Sequence, residues 1–203
     1  EALDRAAQII RTAKRPLLMI ASAASRPQSS EALSAFVLRA GIPFFTTQMG
    51  KGAVAGGSGL YMGTAALTER DYVHMAIDQA DVIVTIGHEV TEKPPFVMRP
   101  GGPTVIHIGY SQAAVEQVYF PQVEVIGDIG NAIWQIKNSL TQSANWDFSR
   151  MLEIKTHQAD NLKEGADDER FPVLPQRLVR DVRQAMPRDG VICLDNGVYK
   201  IWF

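Results

Sequence analysis

Asp81-Val-Ile-Val-Thr-Ile-Gly87 is an apolar run too short for a helix, rich in β-branched residues and closed by a glycine. Two further stretches repeat the plan: Pro103-Thr-Val-Ile-His-Ile-Gly109, and Gln122-Val-Glu-Val-Ile-Gly127 followed by Asp128. Runs of this kind, separated by helical stretches, read as parallel strands covered on both faces. Glycine at each carboxyl end lets the next turn bring backbone close to a ligand, and in open α/β sheets ligands lie in the crevice outside those ends. The pattern predicts an α/β fold of Rossmann-like, nucleotide-binding-domain type: an open parallel sheet of about six strands with helices on both faces.

Working outward, Ala2 to Lys14 carries Leu3, Ala6, Ala7, Ile10 and Ala13 at helical spacing, and Pro16 breaks the pattern before the strand Leu17-Leu-Met-Ile-Ala21. Ser22 to Ser30 reads as a small polar turn, Glu31 to Ala40 as a helix ended by Gly41, and Ile42 to Thr46 as a second strand. Thr47 to Gly63 is a glycine-dense loop, longer than a minimal connector and of the length that is functional or mobile. The spacing predicts helices over Glu69 to Ala80 and Gln112 to Tyr119, and an amphipathic one over Asp128 to Leu140 with Asp128 as its cap.

Beyond residue 142 the character changes. Residues 143–171, ending in the polar run Gln158 to Arg170, read as an interdomain linker. After it come a helix over Pro172 to Met186 and a strand, Gly190-Val-Ile-Cys-Leu-Asp195. The last residues, Ile201-Trp202-Phe203, are apolar directly after a new strand, which reads as a cut fragment.

Composition narrows the class. With 46% hydrophobic residues in 203, the chain can build a core that removes roughly 70% of its unfolded surface from water. Lys plus Arg number 20 against 22 for Asp plus Glu, with no basic run, so a nucleic-acid partner is not expected. No apolar stretch reaches the ~18 residues of a membrane span. The single cysteine, Cys193, has no partner for an internal disulfide, which fits a cytoplasmic location.

The ordered series Gly41-Ile-Pro-Phe-Phe-Thr-Thr47, Gly50-Lys-Gly52, Met62-Gly63, Ala80-Asp-Val-Ile-Val-Thr-Ile-Gly87, Val105-Ile-His-Ile-Gly109 and Val125-Ile-Gly-Asp128 resembles the central domain of thiamine-diphosphate-dependent enzymes, acetolactate synthase-like. The resemblance covers roughly residues 1–141 and sets the central domain at 1–142, and Leu194-Asp-Asn-Gly197 with Ile201-Trp202 resembles the opening of that family's third, diphosphate-binding domain, truncated here at 172–203. It implies that thiamine diphosphate and Mg2+ are held by residues outside this chain: a glutamate of the first domain, and a Gly-Asp-Gly with a downstream Asn-Asn in the third. None of these stands in this sequence. The chain alone is therefore expected to be inactive, with no catalytic and no metal-ligating residue. The implied partners are the flanking domains of the same polypeptide in a homodimer or homotetramer. The implied reaction of the whole adds a thiamine-bound carbanion, left by decarboxylation of a 2-oxo acid such as pyruvate, to a second carbonyl compound. Decarboxylases, oxidases and lyases share this domain. A stand-alone module holding FAD, NAD or ADP at Gly87, Gly109 and Asp128, and a purely structural oligomer-forming domain, are the competing classes.

Biosynthetic members of the family bind FAD in this domain. Carried over residue by residue, the resemblance places cofactor contacts at Ser22, Ala23, Thr47, Gly50, Gly63, Gly87 and Asp128. Elsewhere the sequence departs. Ala65-Ala66 stands where a His-Gly pair is expected, and His88-Glu-Val-Thr-Glu-Lys93 supplies Glu89 and Lys93 where two arginines grip the diphosphate. An anion at ~4 Å from a diphosphate costs about 1 kcal/mol per unit charge in bulk water and about 4 kcal/mol at a protein surface. A helix N-terminus returns only roughly 0.3–1 kcal/mol. FAD is accordingly expected to be absent, as in the FAD-free catabolic acetolactate synthases that this turn resembles most closely.

Other chemistry-bearing residues read as structural. His88, Glu89 and Glu92 are expected on a surface turn without metal-site geometry. His107 is expected to be buried and hydrogen-bonded, Cys193 to be a small core residue, and Trp134, Trp146 and Trp202 to pack. Lys51 reads as solvated. Gly57-Ser-Gly59 lies deep in a loop and is no dinucleotide fingerprint, and Ser22, Ser25, Ser29 and Ser30 lack the setting of a nucleophile.

Overall fold

A computed structural model describes residues 1–65, 71–89, 91–92, 98–115, 117–140 and 145–195. Six parallel strands pair in the order β3-β2-β1-β4-β5-β6: β1 (Pro16–Ile20), β2 (Phe44–Thr47), β3 (Tyr61–Ala65), β4 (Val82–Ile86), β5 (Thr104–Gly109) and β6 (Val123–Ile126). The near-continuous apolar runs have a direct physical cause, because side chains alternate faces and both faces are covered. Leu18 and Ile20 of β1, Val84 and Ile86 of β4, and Ile106 and Ile108 of β5 enter one core. Leu17, Met19, Ile83 and Val105 enter another.

Helices α1 (Ala2–Thr12), α2 (Pro27–Ala40) and α4 (Ile129–Ser139) supply the first core with Ala6, Ile10, Leu33, Phe36, Val37, Ile133 and Ile136. The second takes Val73, Ala76 and Ile77 from α3 (Tyr72–Ile77), together with Met98 and Tyr119 from the later crossovers. The start of β4 is fastened to the turn before β1 by Asp81, whose carboxylate accepts the backbone N–H groups of Lys14 (2.7 Å) and Arg15 (2.8 Å). The expected α/β architecture is observed.

Several local expectations need correction. Helix α2 begins at Pro27 rather than Glu31, with proline in its first turn, where the missing N–H costs nothing. Ser22–Ser25 before it is one turn of 3-10 helix. Within the segment read as helix over Glu69 to Ala80, the described helix starts at Tyr72, because the Asp71 side chain accepts the His74 N–H as an N-cap; 69 and 70 lie outside the described residues. No helix forms over the described part of 112–119: Glu124 captures the Ala113 N–H at 2.8 Å and Tyr119 is fully buried. The long glycine loop ends in a strand, β3, on the sheet's edge.

The chain divides into two compact units, Glu1–Leu152 and Glu153–Phe203. Helix α5 (Ser149–Glu164) passes from one to the other within the stretch read as linker. In the second unit α6 (Pro175–Ala185) is amphipathic in sequence yet has no buried residue. Arg170 beside Asp168 holds that half-buried carboxyl down at about 2. The expected strand over 190–195 is not formed: Val191 and Cys193 are exposed and no strand is assigned there. A strand requires a neighbour for its backbone groups, and no described segment of this unit offers one. Cys193 is thereby not a core residue. The terminal residues 196–203, Trp202 among them, lie outside the described residues.

Candidate functional site

The chain runs β1, β2, β3 in one direction and then crosses to β4 on the other side of β1, so the topological switch point lies at the carboxyl ends of β1 and β4. Ser22, Ala23, Thr47, Gly50 and Gly87 meet there. Ala21 N–H donates to Ile86 O (2.9 Å) and Ala23 N–H to Gly87 O (3.0 Å), locking the turn after β1 against the end of β4. Gly87 has φ +74, and a Cβ on it would stand 2.4 Å from the Ala24 nitrogen. Gly50 is pressed as closely onto β1, where a Cβ would lie 2.2 Å from the Ile20 carbonyl oxygen. Only glycine permits either approach.

The crevice is filled by the chain's own carboxylate. Glu92, 9% exposed, accepts the Ser22 N–H (3.2 Å) and the Ser22 Oγ–H (3.0 Å) on Oε2, and the Thr47 Oγ–H (2.5 Å) on Oε1. Thr47 Oγ1 in turn accepts the Gly50 N–H at 3.1 Å. Hydrogen bonds to a charged acceptor are worth about 1.5–3 kcal/mol each, so this carboxylate binds three loops together. Sequence reasoning placed Glu92 and His88 on a surface turn; both are buried, His88 at 8% exposure with its ring 4.7 Å from that of Tyr119. The charge that matters in the crevice is that of Glu92, whereas Glu89 is half-buried.

Two of the seven candidate contacts stand apart. Gly63 belongs to edge strand β3, where φ +117 accompanies a shift of register between Phe44 and Thr46. Asp128 follows β6, the opposite edge, and its carboxylate caps α4 by accepting the Asn131 N–H at 2.7 Å. Edge to edge this sheet spans roughly 24 Å, so no compact ligand touches both. Val90 and Lys93 of the turn after β4, and Ala66 after β3, lie outside the described residues.

Beneath the β4 turn a polar chain runs through the second core. His107 Nε2–H donates to Ser111 O (3.0 Å), so in the neutral ring Nδ1 accepts from the Tyr119 hydroxyl at 2.8 Å, which itself accepts from Thr85 Oγ1 at 2.5 Å. Burial lowers the His107 pKa below its ordinary 6.5 against the opposing pull of Ser111 O and Glu124. Burial also raises the Tyr119 phenol. The expectation of a buried, hydrogen-bonded histidine holds. Trp146 packs on α1, while Trp134 is 56% exposed on α4, one position off its buried stripe.

A cavity of about 260 Å3 lies at the other end of the sheet, lined by Asp78, Asp81, Arg99 and Gly101, with Arg99 paired to Asp78 at 3.0 Å. Among the described residues no group of three or more His, Cys, Asp or Glu stands together as a metal site. The crevice does not fit a flavin diphosphate, since its hydroxyl and N–H donors are already engaged by Glu92. No helix among the described residues is long and apolar enough to cross a membrane.

Comparison with known proteins supplies the family. Residues 3–136 match the model of the thiamine pyrophosphate enzyme central domain. Across its whole length the chain is 26% identical to an acetolactate synthase of Bacillus subtilis, covering 36% of that protein. It is 28% identical over 99% of its length to a catabolic acetolactate synthase of Raoultella terrigena, covering 37% of it. A chloroplastic acetolactate synthase of Nicotiana tabacum is 27% identical over 98% of the chain and is covered to 30%. The chain thus spans about a third of the length of these relatives. With this match running through all six strands, the chain belongs to the family of thiamine pyrophosphate enzyme central domains.

Proposed function

We infer that the chain is the central, non-catalytic part of a thiamine-diphosphate-dependent enzyme of acetolactate synthase type. The whole enzyme would condense the carbanion left by pyruvate decarboxylation with a second carbonyl compound. The observation that carries this reading is the coverage of nearly the full chain by relatives named acetolactate synthase, bacterial and chloroplastic alike. In this reading residues 1–142 form the central domain, 143–171 a linker and 172–203 the start of the diphosphate-binding domain. Thiamine diphosphate and Mg2+ are held by flanking parts of the polypeptide in a cytoplasmic homodimer or homotetramer. Ser22, Ala23, Thr47, Gly50 and Gly87 then contribute packing that keeps the loops in register, with Gly63 and Asp128 serving the sheet edges. The engagement of the crevice donors by Glu92 supports the FAD-free, catabolic subtype.

The test is expression of the full-length gene and assay with pyruvate, thiamine diphosphate and Mg2+. Acetolactate as the product is the expected result. Release of free aldehyde, or consumption of oxygen, would instead assign the enzyme to the decarboxylases or oxidases that share the domain. Bound flavin in the purified protein would refute the FAD-free subtype.

A further inference from the structure

The contacts that tether Glu92 also gather its donors around one carboxylate. Ser22 N–H and Ser22 Oγ–H converge on one carboxylate oxygen and Thr47 Oγ–H on the other, at 3.2, 3.0 and 2.5 Å. Two hydroxyls and a backbone N–H, with no cation among these partners, form a neutral cradle whose size and donor directions suit a small oxyanion. The cradle is built rather than adventitious. Thr47 is 7% exposed, its hydroxyl is oriented by the Gly50 N–H at 3.1 Å, and Ser22 lies between the Ala21 and Ala23 N–H groups that bond to Ile86 O and Gly87 O. Its donors come from the ends of β1 and β2, while its occupant arrives from beyond β4.

We propose that this cradle is a small-carboxylate site which the chain keeps filled with its own Glu92, and that it accepts an external carboxylate once that side chain is removed. Tethered within the fold, Glu92 enjoys an effective concentration of millimolar or above, so the natural protein ignores dissolved anions. Replacing glutamate by alanine deletes a CH2–COO− fragment, which is the heavy-atom skeleton of acetate. The vacated volume and the three donors therefore match that anion, whereas phosphate is bulkier and brings oxygens for which the cradle has no donor.

The test is chemical rescue in the full-length protein, comparing wild type with Glu92→Ala. Thermal midpoints are measured at pH 7 in sodium acetate and, at equal ionic strength, in sodium chloride and sodium phosphate. The expected result is a lower midpoint for the variant in chloride and a rise of at least about 2 °C in acetate beyond the wild-type response, the size of shift a weakly bound ligand produces. The wild type controls for general salt effects on stability. An equal acetate response in both proteins would overturn the proposal, as would a variant rescued by phosphate but not by acetate. If Glu92→Ala does not fold in chloride, recovery of a cooperative transition on refolding in acetate is the expected result, and its failure to recover in acetate counts against the site. The readout needs neither substrate nor thiamine diphosphate, so it stands or falls separately from the assignment of the reaction.

Discussion

Replacing Gly87 by alanine isolates the cost of closing the switch point on itself. Gly87 has φ +74, a left-handed conformation that costs an L-residue roughly 1–2 kcal/mol. The new methyl would sit 2.4 Å from Ala24 N and 3.0 Å from Ala23 C, both backbone atoms. That backbone is held by Ala23 N–H on Gly87 O (3.0 Å) and Gly87 N–H on Ile108 O (2.8 Å), so it moves only by loosening those bonds. Overpacking of this kind adds about 1–3 kcal/mol. The total, roughly 2–5 kcal/mol, contrasts with Gly101→Ala, where φ is +72 but no atom lies within 4 Å and only the backbone share of roughly 1–2 kcal/mol remains. Equilibrium urea unfolding followed by circular dichroism measures both. With a slope of about 2 kcal/mol/M, Gly87→Ala lowers the midpoint by roughly 1–2.5 M and Gly101→Ala by roughly 0.5–1 M. Equal midpoints for the two variants would refute the close-approach argument.

The acid side of stability reports His107. Its folded pKa lies below the unfolded 6.5, so the unfolded chain takes up the proton first, and stability present above pH 6.5 is lost as pH falls from there toward the folded value. Glu124 and the Tyr119 hydroxyl are the groups facing it, and His107→Asn should flatten the slope of urea midpoint against pH in that window. Asp81→Ala leaves the Lys14 and Arg15 N–H groups without their acceptor and costs about 1–3 kcal/mol, read as faster hydrogen exchange at both amides. Asp128→Ala removes the α4 cap at a cost of ~1 kcal/mol, whereas Asp128→Asn retains most of it. Equal urea midpoints for the two Asp128 variants would show that the cap contributes nothing.

Five of the six strands are legible in sequence, most plainly β1, β4 and β5, which are buried on both faces and dominated by Val, Ile and Leu; β2 and β6 are read as well, from Ile42 to Thr46 and from the run closing on Gly127. Strand β3 escaped because it has the opposite character. At the sheet edge only Met62 is fully buried, Gly63 interrupts it, and its polar atoms pair through the hydroxyls of Thr46, Tyr61 and Thr64. The run at 191–194 failed in the other direction, since an apolar sequence announces a wish for burial without naming the surface that provides it. Glu92 was the chief omission in the crevice. Its partners lie 70 and 45 residues away, a separation no local pattern encodes. A signal was nonetheless present: Ser22 and Thr47 are hydroxyls just past or at the ends of adjacent parallel strands, and an acid follows the third.

Helix α1 ends with carbonyls that its own turns cannot satisfy, and one of them, on Ile10, accepts the indole N–H of Trp146 at 3.1 Å; the neighbouring Lys14 carbonyl accepts the Asp147 N–H at 2.8 Å. These bonds join the first segment of the unit to the last. During synthesis, at roughly 5–20 residues per second, the opening helix must wait on the order of ten seconds or more before its final donors leave the ribosome. Until then its end is open to solvent and to chaperones, so premature termination shortly before Trp146 would leave a nascent sheet whose oldest helix is unsealed.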